Sequence, residues 1–180
     1  RHIGPFYHDE PDLEKGLHWF TYNLNKRSIT LNIEHATGQE LFKRLVKTAD
    51  FIVEGFSPGY LDKLGLGYSE LSAINPRLIH TSITFWGSTG PYRHLKSSNL
   101  VTSAMSGYLL LCGDEDRPPV QISTPVVYIE TGLQAAAATL VAHWYRQMTG
   151  EGQYVDVSAQ EVLMDQILPT ALVWNSHGIM

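Results

Sequence analysis

The apolar and polar positions of the chain divide most of it into short strands and amphipathic helices. Residues 1–24 keep no period. They are rich in aromatics and histidine, carry Gly4-Pro5 and Glu10-Pro11, and predict an ordered loop. Residues 28–33 form a β-like run. Thr37-Gly38-Gln39-Glu40 has capping-box spacing, a hydroxyl at N-cap and a carboxylate at N3. Leu41, Leu45 and Val46 follow at helical spacing, so residues 38–49 are expected to be an amphipathic helix. Phe51, Ile52 and Val53 make residues 50–54 a short strand. Pro58-Gly59 opens a second helical stretch and Gly65-Leu66-Gly67 closes it. Residues 68–74 predict a short helix. Residues 78–85, β-branched at Ile79, Thr81, Ile83 and Thr84, predict a third strand.

Farther along, residues 99–111 read as a buried helix interrupted by Ser106-Gly107. The longest helix is expected over residues 131–148, and it is alanine-rich. Residues 153–157 form a strand. Ser158-Ala159-Gln160-Glu161 is a second capping box, opening a helix that runs to about Leu168, before Pro169. Strand and helix alternate, which implies parallel βαβ units with helices on both faces of the sheet, an α/β fold. No internal repeat, low-complexity tract or clear domain boundary interrupts this order, so residues 1–180 are expected to form one domain.

Composition narrows the function classes. A net charge of −5 and a pI near 5.9 argue against a nucleic-acid backbone as partner, because counterion release needs a basic face. Cys112 is the only cysteine, so no internal disulfide and no CxxC zinc pair is expected, and a reducing cytoplasm is the natural setting. No apolar run reaches the roughly 18 residues of a membrane span, and 135–142 is too short. Seven of the eight histidines (8, 18, 35, 80, 94, 143 and 177) show no HxH or HxxxH spacing, so no metal site is implied. The chain opens with Arg1-His2-Ile3, without initiator methionine or signal pattern, as an excised piece would.

Three stretches carry candidate chemistry. Lys26 and Arg27, in Asn25-Lys26-Arg27-Ser28-Ile29, are adjacent cations before a β-like run. They can hold a phosphate by charge and forked hydrogen bonds, or form a solvated turn. Residues 54–59 follow a strand, where open α/β sheets bind ligands. Gly87 and Gly90, after the next strand, allow close backbone approach to an anionic ligand. This is not GxGxxG, so a nicotinamide site is not supported.

The segment PVVYIETGLQAAAATLVAHWYRQMTGEGQYVDVS, from Pro125 to Ser158, resembles the central part of the family III CoA-transferases, the CaiB/BaiF family. The TGxGQxVDVS match at residues 149–158 and NKRSI at residues 25–29 carry the resemblance further. It runs from about Gly4 to Leu168. It implies a Rossmann-like parallel sheet with helices on both faces, part of the large domain, without the family's first βα unit and its smaller C-terminal domain. An absent first strand is expected to expose a sheet edge.

The resemblance also implies an activity. In the family a carboxylate attacks the donor thioester and CoA thiolate leaves. The thiolate returns to form an enzyme thioester, and the acceptor acid takes the CoA. That carboxylate sits four residues before the glycine of the TG pair. Here the glycine is Gly132, and Tyr128 stands at the carboxylate position. A phenol cannot form the acyl anhydride. Tyr128 is therefore a packed tyrosine, a hydrogen-bond donor in the cleft, or a plug. Glu130 is two residues on, about 200° around a helix, and can replace the missing carboxylate only if this turn is not helical. Lys26 and Arg27 lie where the family's basic residues approach the CoA phosphates. Trp86, Gly87, Ser98 and Asn99 lie where the family lines the CoA channel, and Trp86 either covers the ligand or packs the core.

Several departures stand out. Gly55 and Ser57 replace an asparagine and a basic residue. Phe85-Trp86-Gly87 replaces Gly-Phe-Gly. Ser98 replaces the histidine or tyrosine found there, and serine is no proton shuttle near neutral pH, so a racemase is disfavoured. The expected function is an acyl-CoA-binding protein of the CoA-transferase type, moving CoA between carboxylic acids. The alternative is a non-catalytic CoA-binding or structural subunit of a heteromer. Acyl-CoA and a carboxylic acid are the expected partners, CoA is substrate rather than resident cofactor, and an interlocked homodimer or a heteromer is the expected assembly.

Overall fold

The computed structural model describes residues 2–178, and Arg1 of the predicted loop lies outside them. Two compact units divide the chain, residues 1–32 and 33–180. The first unit is more structured than a loop. Helix α1, Leu17–Asn23, follows a 3-10 turn at Tyr7–Asp9, and Phe6 and Gly16 form an isolated antiparallel bridge. The β-like run at 28–33 pairs with no described strand. Apolar alternation is compatible with a strand, but only a partner's ladder hydrogen bonds make one.

In the second unit a three-stranded parallel sheet has the order β1–β2–β3: Phe51–Glu54, Ile79–Thr84 and Tyr154–Ser158. Phe51 pairs with Ile79, and His80 with Tyr154. Helix α2 (Ala36–Val46), before β1, and the crossover helices α3 (Tyr60–Lys63) and α4 (Tyr68–Ile74) cover one face, where Val46, Leu61, Leu66, Leu71 and Leu78 form a core. The opposite face packs against α6, Val126–Thr149, through Ala135, Val157 and Val162. Helix α7, Ala159–Gln166, follows β3 directly. The far side of β1 has no described strand, and Val53 is 60% exposed.

Local chemistry revises several predicted boundaries. Helix α2 begins two residues early because the His35 ring nitrogen, not the Thr37 hydroxyl, caps it, accepting from Thr37 N at 3.3 Å. Helix α6 starts at Val126 rather than 131, because the Asn99 Oδ1 accepts from Val127 N at 3.1 Å and satisfies one of its free donors. Helix α5 (Asn99–Met105) buries one face only, with Leu100, Val101 and Met105 exposed. It ends at Gly107, whose φ of 83° breaks it from the 3-10 turn Tyr108–Leu111. The second capping box holds: Ser158 Oγ accepts from Glu161 N at 3.4 Å. Pro169 starts a further helix, α8 (Leu168–His177), because its missing N–H costs nothing in a first turn.

One end of the sheet is locked by a few contacts. The Arg146 guanidinium is 3% exposed and donates to the carbonyls of Asp50 (2.9 Å) and Arg77 (3.0 Å). It also reaches the Asp50 carboxylate at 3.1 Å and stacks over Phe51 at 5.0 Å. Gly152 N donates to Pro76 O at 2.8 Å, and a Cβ at Gly152 would overlap the Leu78 carbonyl. Deeper in, the one Thr139 hydroxyl proton goes to Ala135 O, so Thr81 donates across to Thr139 Oγ1 at 2.6 Å and ties α6 to β2.

Three outcomes are expected from denaturant unfolding. Gly152→Ala costs about 3 kcal/mol, because the obstacle is backbone and cannot rotate away; a loss under about 1 kcal/mol would contradict the close approach. Arg146→Ala costs about 2–4 kcal/mol by orphaning the buried Arg77 carbonyl and removing one of two donors to the Asp50 carbonyl, and Arg146→Lys recovers under half of it for want of a fork. The third concerns His80, which burial holds below its usual value of 6.5, opposed by the charges of Glu54 and Asp62. The unfolded chain therefore binds more protons just below pH 6.5, and stability falls as pH drops through 6.5 until the folded pKa is reached. His80→Leu is expected to lose this part of the pH slope, and an unchanged slope would refute the assignment.

Candidate active-site cleft

Beyond the carboxyl ends of β1 and β2 lies a cavity of about 520 Å³. Its wall is apolar and aromatic: Val53, Phe56, Ile83, Phe85, Trp86 and Val127 among others. The sheet places it. Parallel strands end their ladders on one side, and the loops after β1 and β2 open there. Helix α6 begins at the same place, so its first turn presents Val127, Tyr128, Thr131 and Gly132 to the space.

Tyr128 is 55% exposed, and its ring meets Phe85 edge-on at 6.1 Å between centroids. Glu130 lies in the same helix, which begins four residues before it, and does not line the cavity. The helical geometry that would carry it away from the cleft therefore holds. Glu54 is the one carboxylate of the lining. Its Oε2 accepts from Phe56 N at 2.6 Å, and its Oε1 stands 3.9 Å from His80 Nε2. The Thr84 hydroxyl is buried in the wall without a hydrogen-bond partner, a polar group the strand pattern gave no reason to single out.

Trp86 lines this cavity and also a smaller polar one of about 300 Å³ beside Gly87 and Gly90. Its indole Nε1 donates to Leu95 O at 3.0 Å, fixing the loop across its own width. Gly87 has φ 83°, a left-handed conformation that a side chain would strain. Asp156 holds that turn, accepting from Ser88 N at 2.9 Å and from Ser88 Oγ at 3.0 Å. Its role in β3 is thus to position the loop.

The remaining candidates sit elsewhere. Ser98 caps α5, accepting from Val101 N at 3.3 Å, and Asn99 caps α6. Neither lines the large cavity. Lys26 and Arg27 belong to the first unit. There Lys26 Nζ donates to Tyr22 O at 2.7 Å and to Asn23 Oδ1 at 3.2 Å, while Arg27 is exposed. No group of three metal-ligating side chains occurs among the described residues.

The sequence profile of CoA-transferase family III matches residues 1–178. The chain is 38% identical over 178 residues to the succinyl-CoA:(R)-benzylsuccinate CoA-transferase subunit BbsE of Thauera aromatica, covering 99% of this chain and 43% of that protein. It is 40% identical over 157 residues to the succinyl-CoA–L-malate CoA-transferase beta subunit of Chloroflexus aurantiacus, covering 85% and 39%. A crystal structure of a CaiB/BaiF family protein from Brucella suis superposes with a TM-score of 0.86 at 36% identity, covering 92% of this chain and 44% of the other. The chain thus spans about two-fifths of the length of these relatives. On its sheet, its cleft and these likenesses, the chain belongs to CoA-transferase family III.

Proposed function

We propose that the full-length protein binds an acyl-CoA and acts in the transfer of CoA between carboxylic acids. The observation that carries this reading is the apolar cavity at the strand ends, with the first turn of α6 set against it. An apolar channel suits an acyl group and a pantetheine arm, which offer little charge. CoA enters as substrate, and the other participant is a carboxylic acid. Arg27, with Lys26 beside it, is the candidate for CoA phosphate contact, and Trp86 and Gly87 for the channel wall. Ser98 and Asn99 support the channel by capping the helices beside it.

Tyr128 favours a second reading of the same fold. A phenol at the acyl-carrying position gives no activated anhydride, and Glu54 already has one oxygen on Phe56 N and the other toward His80. The protein would then be a CoA-binding subunit that works beside a catalytic homologue. Two of its relatives are themselves named as subunits of their transferases. Either an interlocked homodimer or such a heteromer, in a cytoplasmic setting, fits the reading.

Intact-mass spectrometry of the full-length protein with a panel of acyl-CoAs separates the two. A covalent CoA adduct, mapped to Glu54, Glu130 or another carboxylate, identifies an active transferase. No adduct, with saturable CoA binding by calorimetry, identifies the non-catalytic subunit. Absence of both sinks the proposal. Tyr128→Asp is expected to create an adduct at position 128 and exchange activity at least tenfold above the parent, provided CoA binds; an unchanged rate with CoA bound would count against an intact cleft.

A further inference from the structure

Of the residues that line the large apolar cavity, only Glu54 and Arg93 are charged. Glu54 is already engaged: its side chain is 11% exposed, with one oxygen on Phe56 N and the other facing His80. Arg93 is exposed. Its Nε donates to His94 Nε2 at 2.9 Å, and its two terminal nitrogens meet no acceptor among the described residues. A second cavity, of about 450 Å³, lies against α3 and α4 and shares Glu54 and Arg93 with the first. Asp62 lines it too, yet no described ion pair joins Arg93 to either carboxylate.

The loop after β2 fixes where this arginine stands. Trp86 Nε1 donates to Leu95 O at 3.0 Å, the Trp86 ring meets Tyr92 edge-on at 6.2 Å, and Leu95 N donates to Tyr92 O at 2.8 Å. Arg93 thus sits in a closed turn between Trp86 and Leu95, which line the large cavity and not the second one. With Nε committed to His94, the terminal nitrogens remain as an end-on fork, a geometry that a carboxylate accepts in two parallel hydrogen bonds. The multiple phosphate charges of CoA are a poorer match, because one guanidinium beside Glu54 cannot balance them. The rest of the wall includes Phe56, Phe85, Trp86 and Tyr128, which favour ring-on-ring contact.

We propose that Arg93 is a specificity-determining residue of the cleft, binding the carboxylate of an organic acid whose aromatic body rests against Phe56, Phe85 and Tyr128. The inference rests on the proposed function and narrows its acid partner. Such a site selects twice. The guanidinium discriminates against neutral compounds of the same shape, which leave it without a counter-charge. The wall discriminates against small acids, which bury little apolar surface. Neither step needs a carboxylate at position 128, so Arg93 serves the acid in an active transferase and in a binding subunit alike.

The test is calorimetric titration of the full-length protein with phenylacetate, its neutral analogue phenylacetamide, and acetate. Phenylacetate is expected to bind saturably below about 1 mM, about tenfold or more tighter than the amide and than acetate. Arg93→Gln is expected to cut the acid's advantage over the amide to under about threefold, and Arg93→Lys to restore part of it. The amide carries the same ring, so it reports the integrity of the wall in each variant. The proposal fails if phenylacetate does not saturate by about 10 mM, if acetate binds as tightly, or if the acid's advantage survives Arg93→Gln. It fails also if Arg93→Gln weakens CoA and leaves phenylacetate alone, because the arginine then serves a phosphate. CoA titrated on the same samples keeps the two readings apart: CoA binding without acid discrimination sinks this inference and spares the proposed function.

Discussion

The guanidinium of Arg146 gathers the ends of β1 and β2 at the foot of α6. It stands in the last turns of α6, yet its donors satisfy the carbonyl just before β1 and the carbonyl just before β2. A helix and two parallel strands that are distant in sequence are thereby set in one register. The turn that follows repeats the theme. Gly150 closes α6 with a left-handed conformation, Arg77 donates to its carbonyl at 3.2 Å, and Gly152 slides beneath the backbone of Leu78. With that end fixed, the opposite ends of β1 and β2 and the first turn of α6 have one place to meet, and the cleft forms there.

The sheet also works as a partition. Period-two alternation sends Thr81 and Ile83 to the α6 side and His80 and Ser82 to the α3 and α4 side. One face thus backs an apolar, aromatic cavity and the other a cavity with more hydroxyls and the carboxylates Glu54 and Asp62, from neighbouring residues of a single strand. The polar side is costly to bury. His80 is left without a hydrogen bond, and Thr84 at the strand end is likewise unpaired.

Loop chemistry completes the cleft. Asp156 reaches from β3 to Ser88, and Trp86 reaches from the loop to Leu95, so the glycine turn after β2 is pinned from both sides. Tyr128 occupies the first turn of α6, where a family member's carboxylate would stand. Its ring leans against Phe85, a residue that replaces a glycine of the family pattern. The two substitutions fill one corner together. The packing of that corner is consistent with a wall built for binding, and it leaves no second carboxylate free at the same spot.

The sequence by itself determined the strands at β1, β2 and β3, the helix α4 to the residue, the parallel α/β plan and the capping by Ser158. Those features depend on local period, turn residues and near-neighbour hydrogen bonds. Only the tertiary structure decided where α6 begins, since its cap is Asn99, 28 residues away from Val127. The same holds for the run at residues 28–33, which alternates correctly yet has no ladder partner among the described residues. Ser98 and Asn99, expected at the CoA channel, also cap helices α5 and α6, a role set by contacts across the fold. The buried His80 was one of several scattered histidines without a motif. What makes it notable is burial beside a cavity and two empty ring nitrogens, and those are properties of packing between distant segments, which no local pattern records.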